Sequence, residues 1–192
     1  MNDPDFHDDL QKALDVLRSG GCILYPTDTI WGLGCDATDP KAVENIYRIK
    51  QRVESKSLIV LVSSFEQVRN YVDRVPEVAW DLLKCIENPV TVIYSNAKNL
   101  APNVVAEDGT IGIRIVKEEF CIELLRHLGK PIVSTSANIS GEPAPVTFSH
   151  ITKEIIDNVD YVVKYKQQIF TQSKPSTIIR LLETGEYIIL RP

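Results

Sequence analysis

The chain has 192 residues, 44% of them apolar, and carries 21 Lys and Arg against 26 Asp and Glu, a net charge of −5. That length predicts one domain over residues 1–192, and that apolar share supplies a real core, which excludes a disordered chain. The acidic balance argues against a protein that coats nucleic acid non-specifically, because such binding neutralises many phosphates with Lys and Arg; a local cationic cleft for one small anion stays open.

The start of the chain, Met1 to Asp9, is acidic and lacks a positive region followed by an apolar one. No signal peptide is expected, and no apolar run reaches the ~18 residues of a membrane span, so a cytoplasmic protein without membrane contact is expected. Phe6, Leu10, Ala13, Leu14 and Leu17 recur at helical spacing until Gly20-Gly21 stops the pattern. Cys22 to Tyr25 reads as a short buried strand. Asp39 can cap a helix with Pro40 at its first position, running to about Arg52. Leu58 to Val62 is an unbroken run of β-branched residues and Leu, the mark of a central strand covered on both faces.

Two helical stretches follow, about Phe65 to Val72 and Glu77 to Ile86, then a strand from Val90 to Tyr94. Asn96 to Asp108 is polar, holds Pro102 and reads as a loop. Thr110 to Val116 is a strand, Glu118 to Leu128 a helix ended by Gly129, and Pro131 to Thr135 a strand. Ser136 to Val146 is a polar loop, after which Thr147 can cap another helix. Strands near Tyr161 to Val163, Thr177 to Leu181 and Tyr187 to Leu190 close the chain, the last two forming an antiparallel hairpin around Glu183 to Glu186. The alternation predicts an α/β fold: a twisted, largely parallel but mixed open sheet flanked by helices.

Cys22, Cys35, Cys85 and Cys121 form no C-x-x-C pair, and three sit in apolar or helical stretches, so reduced and mostly buried thiols are expected. His7, His127 and His150 are scattered and fall in no motif.

Four polar patches fall at predicted strand ends, where open α/β sheets bind ligands. The first runs from Tyr25 to Gly34: two threonine hydroxyls and a carboxylate directly after a strand, with Gly32 and Gly34 permitting close approach; Pro-Thr-Asp-Thr is equally good turn chemistry. The second is Lys50-Gln51-Arg52, followed by Lys56. Cations at a helix end complement the macrodipole, and an arginine fork also suits phosphate or carboxylate. In the third, alternation puts Thr110, Gly112 and Arg114 on one strand face, and the glycine leaves room for something to lie on the sheet. The fourth, Ser134 to Asn138 running into Ile139-Ser140-Gly141, offers small hydroxyls and an amide to a phosphate or an adenine edge, and equally reads as a loop or helix cap. No Walker A loop, G-x-G-x-x-G or nucleophile elbow is present. The residues support an α/β domain with a cleft for a small anionic ligand and do not name that ligand.

The four patches, in this order, resemble the YrdC-like family. Its pattern has Pro-Thr-[Asp/Glu]-Thr with a following Gly-Leu-Gly (here residues 26–34), a Lys-x-Arg pair (Lys50 and Arg52), a strand with an arginine (Arg114), Ser-Thr-Ser-Ala-Asn (134–138), Pro-Ser-Thr-Ile (175–178) and a terminal Leu-Arg-Pro (190–192). The resemblance covers nearly the whole chain. It implies a concave cationic cleft and a nucleotidyltransferase that makes threonylcarbamoyl-adenylate and pyrophosphate from L-threonine, bicarbonate and ATP with Mg²⁺. It further implies partner proteins that use the product to modify tRNA, a contact with tRNA, and double-stranded RNA binding. By motif, Thr29, Arg114 and Ser134 would hold threonine. Arg52, Lys56, Thr110, Ser136, Asn138, Ser176 and Arg191 would bind ATP, with Lys50 and Arg52 catalytic. No residue is assigned to a metal, and whether Asp28 or Asp36 assists one stays open.

The chain departs from the family pattern at Val53 and Ser57, where prolines are usual, and at Glu87-Asn88-Pro89, where Trp-Pro-Gly-Pro is usual. It also stops where longer relatives carry a second domain, which predicts the short form. Two other readings stand beside the synthase: a YrdC-like paralogue of different activity, and a non-enzymatic RNA-binding or translation-associated module. Retention of Lys-x-Arg and Ser-Ala-Asn counts against the first, and the acidic balance against the second.

Overall fold

The computed structural model describes residues 4–52, 58–169, 175–182 and 184–192. Lys56, Val53 and Ser57 lie outside the described residues, as does Glu183 of the predicted hairpin turn. Helix α1 (Pro4–Arg18) packs the face carrying Leu10, Ala13, Leu14 and Leu17 onto α5 (Glu119–Leu128), and the Phe6 ring meets Phe120 edge-on at 5.6 Å. Burying such an apolar stripe is what holds an amphipathic helix in place. Gly129 ends α5 in the left-handed region at φ 72° and donates its N–H to Leu125 O, as the sequence predicts.

Helix α2 (Pro40–Ile49) is capped by Asp39, whose carboxylate accepts from the Lys41 and Ala42 backbone N–H groups. It ends three residues before the expected Arg52. Gln51 turns left-handed at φ 49°, its N–H bonds Arg48 O and the Arg52 N–H bonds Tyr47 O. This is a Schellman stop made with glutamine instead of glycine. It peels Arg52 off the helix and turns it toward the sheet.

The remaining elements are β1 (Ile23–Tyr25), β2 (Gly32–Gly34), β3 (Ile59–Val62), α3 (Phe65–Val68), α4 (Glu77–Cys85), β4 (Val90–Tyr94), β5 (Ile111–Ile115), β6 (Ile132–Ser136), α6 (Lys153–Asp157), β7 (Tyr161–Val162), β8 (Thr177–Leu181) and β9 (Tyr187–Arg191). Among the described residues the strands form one sheet in the order β7-β1-β2-β6-β3-β5-β4-β8-β9. It is mixed and flanked by helices, as expected, but the parallel share is smaller than strand–helix alternation predicts. Three pairings are parallel and five antiparallel. The cause is that β2 and β6 insert antiparallel between β1 and β3. Strand β3 sits mid-sheet as read: Val60 and Val62 enter one core cluster and Leu61 the other, on the opposite face.

Three local expectations change. Gly32-Leu33-Gly34 is a strand, with Ile23 opposite Gly34 and Gly32 opposite Ser136. A Cβ on Gly34 would lie 2.7 Å from Tyr25 Cε1 and 2.8 Å from Val133 O, so glycine is required there by packing. The stretch read as a helix to Val72 stops at Val68, because Val72 bridges to Ala97 and the Lys98 N–H bonds Tyr71 O. Thr147 precedes a single 3₁₀ turn, its hydroxyl paired with Ser149 Oγ and His150 Nδ1; α6 begins later, after Thr152. Cys22, Cys35 and Cys121 are buried and reduced, while Cys85 is exposed. Among the described residues no helix is long and apolar enough to cross a membrane.

Candidate active site

The β1–β2 connection, residues 26–31, forms one wall of a cleft of about 300 Å³. Thr27 shapes this loop. Its hydroxyl donates to Ile30 O at 2.7 Å and accepts from the Thr29 N–H at 3.1 Å. The Thr27 proton is therefore committed, so the 3.0 Å contact between the two threonine hydroxyls runs from Thr29 to Thr27. Thr29 Oγ1 in turn accepts from Arg114 Nη1 at 3.0 Å. A directed chain of donors thus links β5 to the loop.

Arg114 stands mid-strand between register partners Leu61 and Thr91, with its side chain only 4% exposed. Its Nη2 lies 3.3 Å from Asp28 Oδ1, and its Nε is buried without a hydrogen-bond partner. Gly112 shares this strand face, but the space above it is taken by protein. A Cβ there would meet Ile59 Cγ2 at 3.0 Å and Thr91 Cγ2 at 3.3 Å, so the expectation of open room on the sheet at that glycine is corrected.

The strand-exit patch supplies Ser134, Thr135 and Ser136 to the cleft wall. Behind it sits Lys50, 1% exposed at the C-cap of α2. Its ammonium donates to Ser136 O at 2.5 Å and Asn138 O at 2.7 Å, and its own carbonyl accepts from the Ser140 N–H. Asn138 points its amide at Ile139 O and Glu142 O. Lys50 and Asn138 therefore fold the loop that presents Ser136 and do not themselves line the cleft. Burial, reinforced by the Arg52 charge, pushes the Lys50 amine down to about 8. Burial likewise lowers Arg52, and it lowers Arg191 together with the nearby Arg114 charge.

Arg191 of β9 donates through Nε and Nη2 to Ser176 O at 3.1 and 2.7 Å. The Ser176 hydroxyl meets Thr91 Oγ1 at 2.8 Å.

Of the residues singled out in the sequence, the cleft brings together Thr29, Arg52, Arg114, Ser134, Ser136, Ser176 and Arg191. Thr110 stands off its wall, its hydroxyl and N–H both engaged by Asp108 Oδ1 at 2.6 and 3.1 Å. Sequence reasoning missed Thr91, although one polar residue inside the apolar run Val90–Tyr94 was a usable signal. Asp28, left open in the sequence as a metal assistant, pairs with Arg114. Asp36 is spent on Thr38 and Lys130.

Three arginines line the cleft and, among the described residues, no carboxylate does. Nor do the described residues hold a group of three or more His, Cys, Asp and Glu that could bind a metal. Such a wall suits an anion with several phosphate or carboxylate oxygens, since guanidinium forks match both.

Comparison with known proteins places this geometry in context. The family model Sua5_yciO_yrdC, described as telomere recombination, matches residues 15–192. A threonylcarbamoyl-AMP synthase of Pseudoalteromonas translucida is 32% identical over 172 residues, 88% of this chain and 91% of that protein. One of Hahella chejuensis is 36% identical over 171 residues, again 88% and 91%. The crystal structure of P. abyssi Sua5 complexed with L-threonine superposes with a TM-score of 0.83 at 28% identity. That match covers 95% of this chain and 53% of the other, so this chain spans about half the length of that protein. E. coli YciO superposes with a TM-score of 0.81 at 27% identity, covering 95% of this chain and 87% of the other.

Proposed function

The chain belongs to the Sua5/YciO/YrdC family, and from that premise we propose that it is an enzyme, a threonylcarbamoyl-AMP synthase. It joins L-threonine, bicarbonate and ATP. The observation that carries the reading is convergence: loop 26–31, the turn after α2, β5, the β6 exit and the β8–β9 hairpin all deliver polar side chains to one cleft. The relatives named threonylcarbamoyl-AMP synthase are matched over 91% of their length, so the shared region is nearly all of what they are.

In this reading Thr29, Arg114 and Ser134, assigned by motif, hold threonine, the ligand with which the Sua5 neighbour was solved. Arg52, Ser136, Ser176 and Arg191 hold ATP, joined by Lys56. Lys50 and Asn138 act from behind, by fixing the loop that carries Ser136. Thr110, off the cleft wall, is left with a structural part.

The chemistry is a nucleotidyl transfer. The threonine ammonium loses a proton, and its nitrogen adds to the bicarbonate carbon to give a carbamate and water. A carbamate oxygen then attacks the α-phosphorus, and pyrophosphate leaves with the electron pair of the broken P–O bond. No covalent enzyme nucleophile is required, only positioning and stabilisation of developing charge. Arg52 and Arg191 supply that charge at the phosphates. Mg²⁺ would enter with ATP and neutralise phosphate charge; the described cleft wall offers no carboxylate to hold it. The product would pass to partner proteins that modify tRNA in the cytoplasm; tRNA contact and double-stranded RNA binding are further expectations of the family resemblance.

The test is incubation of the purified chain with ¹³C-bicarbonate, L-threonine and MgATP, followed by mass spectrometry. An adenylate carrying both threonine and the labelled carbon supports the reading. ATP consumption without that product counts against it.

A further inference from the structure

We infer that Asp28 is a positioning residue for the amino-acid end of the cleft: it holds Arg114 from behind and aims the guanidinium's remaining donors at the substrate carboxylate. This inference rests on the proposed synthase reading.

Asp28 belongs to the same loop as Thr27 and Thr29 but is not on the cleft wall. It lines a second cavity, of about 320 Å³, which shares Thr27, Thr29 and Ile30 with the cleft and adds Trp31, Glu118 and Lys166. It therefore acts through another residue. Its side chain is 9% exposed; Oδ2 lies 3.4 Å from the Lys117 backbone N–H, and Oδ1 faces Arg114 Nη2 at 3.3 Å. The carboxylate thus bridges loop 26–31 to the junction between β5 and α5.

A guanidinium has five donors in one fixed plane, so two anchors settle its orientation. Thr29 takes Nη1 by a hydrogen bond, and Asp28 holds Nη2 as an ion pair, its Oδ1 accepting no hydrogen bond. Without Asp28, Arg114 would be a buried cation with no ion-pair partner among the described residues. The neighbouring carboxylate cannot stand in. Glu118 is already occupied by Lys166 Nζ and the Cys121 N–H, each at 2.9 Å.

The pair also sets the local charge. Asp28 and Arg114 sum to zero, so Arg114 offers directed donors with little net positive potential, which suits the single carboxylate of a zwitterion. Arg52 and Arg191 have no carboxylate beside them on the described wall, which suits a polyphosphate.

The experiment uses the full chain as wild type, Asp28→Asn and Asp28→Glu. L-threonine and ATP binding are measured by calorimetry, and KM for each in pyrophosphate release. Asp28→Asn should weaken threonine binding about tenfold with ATP binding held within about twofold, the pattern of one lost substrate contact. Asp28→Glu keeps the charge and should restore threonine binding to within about threefold of wild type. Should Asp28→Asn fail to fold, Asp28→Glu carries the test, with its smaller shift confined to threonine. Unchanged threonine binding, or equal losses for threonine and ATP, overturns the inference alone. A wild-type chain that binds no threonine overturns the functional reading and this inference together.

Discussion

The Lys50 ammonium, at the end of α2, donates to the backbone carbonyls of Ser136 and Asn138 on the loop leaving β6, at 2.5 and 2.7 Å. Two acceptors, both distant in sequence from Lys50, depend on its one side chain. Lys50→Met keeps the stem and removes the donor. Each stranded carbonyl costs about 1–3 kcal/mol, so thermal melting should show a large loss of stability. The rate of pyrophosphate release should fall further than stability alone explains, because Ser136 loses its support. A variant with wild-type melting and rate would contradict this role.

The depressed Lys50 amine makes stability and activity move in opposite directions with pH. Its folded value is about 8, and an unfolded lysine titrates near 10.4. Between those values the unfolded chain binds a proton that the folded chain does not. Raising pH through that window therefore favours the fold, by on the order of 3 kcal/mol if taken to its end. Below about 8 both states are charged and the burial penalty is present in full. A neutral amine is the weaker donor to Ser136 and Asn138, so activity should decline above that pH. Urea midpoints and pyrophosphate release at pH 7.5 and 9.5, beside Lys50→Met, separate the two; the opposed trends should vanish in the variant.

Arg114→Met should be among the most damaging single changes. It leaves Asp28, 9% exposed, as a buried carboxylate without its cation, a situation that costs about 3–5 kcal/mol. Adding Asp28→Asn should recover much of that stability in denaturant melts without restoring activity. A double variant no more stable than Arg114→Met would show that the pair contributes nothing to the fold.

Two strand glycines, Gly34 of β2 and Gly112 of β5, should respond unequally to alanine. At Gly34 the new methyl would sit under 3.0 Å from three atoms, including the Val133 backbone oxygen. Gly34→Ala should give little folded protein, as judged by soluble yield and circular dichroism. At Gly112 the nearest atoms are the side-chain ends of Ile59 and Thr91, at 3.0 and 3.3 Å. Gly112→Ala should fold, losing about 1–3 kcal/mol through overpacking, with weakened activity because both neighbours line the cleft.

Much of the fold was legible because local signals agreed with tertiary ones. Asp39-Pro40 announced α2, Gly129 ended α5, and the run Leu58 to Val62 marked the strand buried on both faces. The rest depended on partners distant in sequence. Gly32-Leu33-Gly34 looks like a loop, since glycine has low strand propensity; it is a strand because Tyr25 and Val133 leave no room for a side chain at Gly34. Arg52 reaches the cleft because Gln51 adopts a left-handed turn that its residue type does not advertise. The parallel share was overestimated because alternation in the chain does not show where β2 and β6 insert. In the site, the patterned residues were visible as motifs, but their division of labour was not. Lys50 and Asn138 sit in the motif and turn inward to the backbone, while Thr91 and Asp28 lie outside the assigned set and complete the cleft's support.

If one cleft couples threonine to ATP, pyrophosphate release must depend on both substrates. The purified chain is assayed with ATP, bicarbonate and Mg²⁺, with and without L-threonine, beside Arg52→Ala. Release should depend on threonine and be lost in the variant. ATP binding without threonine-dependent release would contradict that coupling and point to a paralogue of different activity on the same fold.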